Sequence, residues 1–496
     1  MRRLYVAAFL LCLLSFAGVP HPSVNAQSAA TITILHINDV YEIDAIEGGH
    51  YGGLSRAATV LRRLERGRAP VLMTLGGDYL SPSAIGTALI DGQPLGGRQM
   101  VDVLNQVGLD WAVLGNHEFD VSEAAFRTRL AESRFRVVSS NVTDVNGQPF
   151  PGTVRSAIVP IQAGGRVIRL GIIGLTIDST RRPWVLYAPP VVAAREQLAH
   201  LEGKVDAVVA LTHLSLAGDQ DLVTQVPGID LVLGGHEHEN WVLRRGPNFT
   251  PIVKADANAR TAAIVTLMFG PANTRPAVTV RFDVLDESVP QDAAVQDVVR
   301  KWMAIALDAF RKNGFEPDRV VATVTEPLDG RESVVRNHPG RLTDLITAAF
   351  DHEAGGVDVA ILNAGSVRID DVVQPGPVTQ YDVLRILPFG GRVTRAAMDG
   401  ELLRSVLDTG LANRGTGGSL HARGTGRDGN QWVVGGKPLD VSARYTVAMT
   451  DFLISGGETN LGFLTRTNPA VHNVQDLRDV RLALIDELHA QYPPDK

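Results

Sequence analysis

The chain has 496 residues, 45% hydrophobic and 20% charged, with 49 Gly and 27 Pro. This is ordinary globular composition and, at roughly 150 residues per domain, predicts two or three domains rather than a disordered or collagen-like chain. Lys and Arg number 47 against 54 Asp and Glu, a net charge of −7, the wrong sign for a general binder of nucleic acid or anionic membrane.

In chain order, Met1-Arg2-Arg3 precede an apolar run from Leu4 to Val19 and a small, polar stretch ending at Ala26. That is the pattern of a secretory signal peptide, and it is short for a membrane span. Cleavage after Ala26 would leave 470 residues at a net charge of −9 and no cysteine, since Cys12 is the only one. The expectation is a secreted or periplasmic protein without disulfides, stabilised by its core or by bound metal. No later apolar run approaches membrane-spanning length.

Short apolar runs at Thr31 to Ile37, Val71 to Leu75, Trp111 to Leu114, Val205 to Leu211 and Ile229 to Leu233 read as buried strands. Amphipathic stretches such as Leu54 to Arg66 and Ala124 to Glu132 lie between several of them, so the first half predicts an α/β domain with helices over the sheet faces. A strand-like run from Ala277 to Leu285 gives way to a polar segment and then a helical pattern from Val298 to Phe310. The expected organisation is a signal peptide over 1–26, a first domain over 27–285, a linker with a helix over 286–317 and a second α/β or α+β domain over 318–496. Strand signals at Val357 to Leu362 and Tyr445 to Met449 belong to that second domain.

The residues just past each strand carry the chemistry. The first strand leads into Asn38-Asp39, the second into Gly76-Gly77-Asp78, the third into Gly115-Asn116-His117-Glu118, the fourth into Thr212-His213, and the fifth into Gly234-Gly235-His236-Glu237-His238. Open α/β sheets bind their ligands at this edge. Carboxylate, amide and imidazole without thiolate suit Mn²⁺, Zn²⁺ or Fe, and a shared carboxylate can hold two such ions about 4 Å apart. His117 and Asp120 are three residues apart, which puts them on one face of a helix start, where a carboxylate favours the charged imidazole.

These blocks, HINDVYE, GGDY, GNHEFD, LTHLS and GGHEHE, resemble in order and spacing the signature of calcineurin-like metallophosphoesterases, and in particular the secreted bacterial 5′-nucleotidase family. The resemblance covers essentially the whole mature chain. It implies a four-layer α/β/β/α sandwich with two divalent metals bridged by Asp78, and then a substrate-binding domain. By matching positions, Asp39 and His238 would join the first metal, Asn116, His213 and His236 would hold the second, and His117 with Asp120 would stabilise the phosphoryl group and protonate the leaving oxygen.

In the second domain, Asn363-Ala364-Gly365-Ser366-Val367-Arg368 resembles the family's Asn-x-Gly-x-x-Arg block, and the segment from Asp451 to Glu458 resembles the one that stacks a base and grips ribose. The resemblance implies that Arg336 and Arg368 hold phosphate, that Gly365 keeps the loop flexible, that Asn363 reaches the base, that Phe452 stacks it, and that Glu458 bonds ribose hydroxyls. Glu458 stands where the family usually has aspartate, and two further positions depart from the family. Tyr41 stands where the Asp-x-His motif has histidine, which leaves either a phenolate ligand on a strongly acidic ion or a packing residue at the rim with water completing the shell. No Phe or Tyr lies in 417–421, where the first stacking ring is usual, so either His421 substitutes or the substrate is not a simple nucleotide. The expected function is an exported, two-metal phosphohydrolase acting on nucleotides. Alternatives are a nucleotide-sugar or 2′,3′-cyclic-nucleotide hydrolase, or a nucleotide-binding protein with a decayed metal site.

Overall fold

Strand Ala30–Ile37 is an inner strand of a seven-stranded sheet, pairing parallel with Val71–Leu75 and antiparallel with Thr261–Phe269. The computed structural model describes residues 30–270 and 274–494; the expected signal peptide lies outside them. Beyond Val71–Leu75 the parallel order continues through Trp111–Val113, Arg136–Val138 and Thr153–Val154. A six-stranded sheet runs Trp241–Arg245, Thr250–Lys254, Leu231–Gly234, Ala207–His213, Arg166–Thr176 and Ser156–Ala163, its four inner strands parallel. The two sheets face each other through Ile32, Ile34, Val113, Leu170, Val209 and Leu233. Strands buried on both faces carry near-continuous apolar runs rather than alternation, as AVVALTH over Ala207–His213 does.

Helices Leu54–Glu65 and Arg98–Val107 cover the outer face of the larger sheet, and Pro190–Leu201 and Leu216–Gln225 that of the smaller. The first half is therefore a four-layer α/β/β/α sandwich. The 20-residue helix Ala293–Lys312 begins before the apolar pattern does, because Asp292 caps it by accepting from the Val295 amide at 3.1 Å. Its Val295, Val299, Trp302 and Phe310 pack into the helical layer of the larger sheet, and the Trp302 indole donates to Asp102 at 2.8 Å.

The second half is built on a five-stranded mixed sheet ordered Leu420–Arg423, Val359–Asn363, Arg444–Thr450, Arg392–Asp399 and Val471–Asp479. Helices Arg341–Glu353 and Val480–Gln491 pack on one face, and Gly400–Ala412 on the other. Among the described residues no helix is long and apolar enough to cross a membrane.

Candidate active site

The site forms where strands of both sheets end together. Asp39, Asp78 and His236 each leave a strand with φ of 51°, 54° and 81°. The left-handed region costs a residue with a Cβ about 1 kcal/mol or more, and such strain gathers where the surroundings over-determine the backbone. Here they do: Asp39 Oδ2 accepts from the His236 amide at 2.9 Å and from Asn38 Nδ2 at 2.8 Å, and Asp78 Oδ1 accepts from the His117 amide at 2.8 Å. Gly77 has φ 87°, and a Cβ there would lie 2.7 Å from both the Gly115 amide and His213 Nδ1. Only glycine lets those strand ends approach.

Asp39, Asp78 and His213 offer donor atoms that all lie within 4.8 Å of one another. His213 Nε2 stands between the carboxylates, 3.1 Å from Asp78 Oδ2 and 3.9 Å from Asp39 Oδ1, while its Nδ1 donates to the Gly76 carbonyl at 2.7 Å. That outer bond fixes the ring with Nε2 aimed inward. The His236 ring lies 5.3 Å from that of His213. Asn116 Oδ1 is buried with no hydrogen-bond partner among the described residues, an arrangement unfavourable for a polar atom unless a ligand engages it. These donors fit a pair of divalent ions sharing a carboxylate.

Charge within the cluster is finely divided. Burial alone would raise the Asp78 carboxyl, but the charges of His213 and His117 pull it well below the usual range. Burial likewise opposes protonation of His213, yet Asp78 and Asp39 lift it to about 9. His236, buried and facing the His213 charge, falls to about 3 and stays neutral.

Tyr41 is not at the rim. It is 4% exposed, with its hydroxyl 3.0 Å from His238 Nε2 and 3.4 Å from both Asp39 Oδ1 and Asp78 Oδ2. Its amide donates to Asn258 Oδ1 at 2.9 Å, which turns the chain inward after the strand. Burial, then the Asp78 and Asp39 carboxylates, hold the phenol well above its ordinary pKa. Tyr41 is therefore a neutral hydroxyl placed where the family resemblance expects an imidazole.

His117 and Asp120 meet as expected, Nδ1 to Oδ2 at 2.5 Å, on a short 3-10 turn over His117–Phe119. Arg368, from the second half, brings Nη1 to 3.4 Å from His117 Nε2, so the expected phosphate-binding arginine and the dyad share one cleft. Arg336 lies beside it, ion-paired to Glu332. Farther out, Asn363 Nδ2 donates to Glu458 Oε2 at 2.7 Å, Gly365 donates its amide to the Gly417 carbonyl at 2.7 Å, and Phe452 is 45% exposed. His421 does not replace the missing ring. It is 7% exposed, and its Nε2 donates to the Val335 carbonyl at 2.6 Å. Phe389 is another exposed ring here, 51% exposed with the Arg368 guanidinium 5.8 Å from its centroid.

Sequence reasoning missed the residues that hold the donors in place. Glu118 accepts the amides of Asp78, Tyr79 and Leu80 at 3.0, 2.7 and 3.1 Å, as well as that of Gly115; its signal was its place inside GNHEFD. Lys254, fully buried, donates to the Leu214 and Gly235 carbonyls at 2.6 and 2.7 Å and pairs with Glu237 and Asp219. Asp370 Oδ2 accepts a hydrogen bond from His238 Nδ1 at 2.7 Å.

The fold and the cluster define a metal-dependent phosphoester hydrolase. Residues 32–240 match the calcineurin-like phosphoesterase family and residues 320–465 the 5′-nucleotidase C-terminal domain. The chain thus joins a calcineurin-like phosphoesterase domain to a 5′-nucleotidase C-terminal domain. It is 25% identical to the 5′-nucleotidase of Vibrio cholerae, over 91% of this chain and 90% of that protein, and 26% identical to the snake venom 5′-nucleotidase of Crotalus adamanteus, over 79% and 72%. A 5′-nucleotidase precursor from Thermus thermophilus shares the fold with a TM-score of 0.78 at 22% identity, over 93% of this chain and 97% of that one.

Proposed function

We propose that this chain releases phosphate from nucleotides in an exported compartment. Asp39, Asp78 and His238 hold one divalent ion, and Asp78, Asn116, His213 and His236 the other. Ions in such a pair act as Lewis acids toward phosphoryl oxygens and water. Asp120 holds the His117 ring by Nδ1, so that Nε2 faces the cleft and carries a proton to the leaving oxygen. Arg368, rigidly forked and permanently charged, grips the phosphoryl oxygens beside it, and Arg336 assists from the same wall. Phe452 stacks the base, while Asn363 and Glu458, already bonded to each other, read base and ribose.

The observation that carries this reading is the meeting of Arg368 with His117 at 3.4 Å beside the Asp39, Asp78 and His213 cluster. It joins an anion-binding group, a proton carrier and a cation site in one cleft. Released phosphate should be measured across nucleoside monophosphates, nucleotide sugars and cyclic nucleotides, with and without Mn²⁺. Metal-dependent release from monophosphates supports the proposal, and turnover confined to the other classes overturns it. Removal of residues 1–26 is tested by N-terminal sequencing of the protein recovered outside the cytoplasm.

A further inference from the structure

His238 is held from the other half of the chain. Its Nδ1 lies 2.7 Å from Asp370 Oδ2 and 2.8 Å from Glu332 Oε2, whereas His213 places its own Nδ1 on a carbonyl of the first half. Asp370 is 132 residues away in sequence and is itself fixed. Its backbone is left-handed at φ 42°, and its Oδ1 accepts from the Glu332 amide at 2.8 Å. The next residue, Asp371, is buried against Arg260 at 3.2 Å, Arg385 at 3.0 Å and the Glu47 amide at 3.1 Å, and Arg385 reaches on to Glu42 at 3.3 Å. Arg260, Glu47 and Glu42 belong to the first half, so a buried ionic network clamps this loop to it.

We propose that Asp370, backed by Glu332, is a positioning residue for His238, so that the first metal subsite is complete only with the second half docked. The inference rests on His238 being a ligand of that subsite. A ring that donates Nδ1–H to a carboxylate presents Nε2 in one orientation and as a stronger base. Binding free energies are reciprocal: whatever docking adds to the affinity for the first ion, that ion adds to docking. The same loop carries Arg368 to His117, so one segment sets a metal ligand and a phosphoryl-binding charge together.

The test is a Co²⁺ titration of the chelated full-length protein, monitored by calorimetry and by visible absorption. Wild type should show two binding events. Asp370→Asn keeps the shape and tolerates the left-handed backbone but loses the charge. It should weaken one event by about 10- to 100-fold and alter the absorption of that ion alone. Glu332→Gln should weaken the same event by less, and carries the test if Asp370→Asn does not fold. Unchanged affinities and spectra in both variants overturn the proposal, as does equal weakening of both events. A wild-type protein that binds fewer than two ions overturns the two-metal reading itself, and this inference with it.

Discussion

The two halves build their parts of the cleft differently. In the first half, Asp39, Asp78, Asn116, His213 and His236 sit at or just past the ends of strands packed between layers, and three of them hold left-handed backbones there. In the second, Arg336, Arg368 and Glu458 sit on loops and short turns around the sheet, where neighbouring acids such as Glu332 set the positions of the two arginines. Donors on strand ends are preorganised by the core, and loop residues are placed by local ion pairs. The lesson is that the strand ends fix most of the donors, while the loops of the second half bring the groups that meet the substrate and, through Asp370, hold His238.

Changes among the strand-end donors should therefore reduce turnover, and changes at the base-binding loop of the second half should alter binding. The largest effect is expected for Asp78→Asn, which weakens both ion sites at once. Turnover should fall about 10⁴-fold or more, since several kcal/mol of charge stabilisation are lost at each ion, and metal content measured by mass spectrometry should fall with it. His117→Ala should lower turnover by about 10²- to 10⁴-fold with metal content intact; unchanged turnover would make His117 structural. Phe452→Ala should instead raise KM for nucleotides, by about 1 to 3 kcal/mol of lost stacking, with kcat nearly constant. A fall in kcat at constant KM would erase the contrast between the halves.

Smaller effects sharpen the first-half picture. Tyr41→His replaces a phenol that must lose a proton with a neutral donor, and should lower the metal concentration for half-maximal activity by about tenfold. Equal metal dependence in the two proteins would show that Tyr41 has no part in the first site. Because His213 is raised to about 9, it is protonated at neutral pH, and a metal ligand must be neutral. Burial opposes protonation of His238 too, yet Asp370 and Asp39 lift it to about 10, so it is protonated as well. Uptake of both ions should thus release about two protons near pH 7, and affinity should strengthen as pH rises toward 9. Calorimetry in buffers of different ionisation enthalpy reads those protons directly.

Much of the first half is legible in the sequence because its chemistry rides on strands. The runs before Asp39, Asp78 and His213 are apolar and short, and the glycines beside them mark where strand ends meet, so motif order reports geometry. The rest depends on packing that sequence spacing does not encode. Tyr41 reads either as a ligand or as a rim residue, and it is buried because Asn258, 217 residues away, captures its amide. His421 looks available for stacking, yet Val335 holds it inside. Asp370 and Lys254 carry no local pattern, because their partners come from the other half or from loops and a helix that follow other strands.

The most direct measurement is phosphate release from a nucleoside monophosphate by the chelated protein as Mn²⁺ is restored, with bound metal counted in the same samples. Two functional sites sharing Asp78 predict no turnover without metal and full turnover as two ions per chain are regained. Full turnover in chelator with no metal detectable would contradict a two-metal phosphohydrolase.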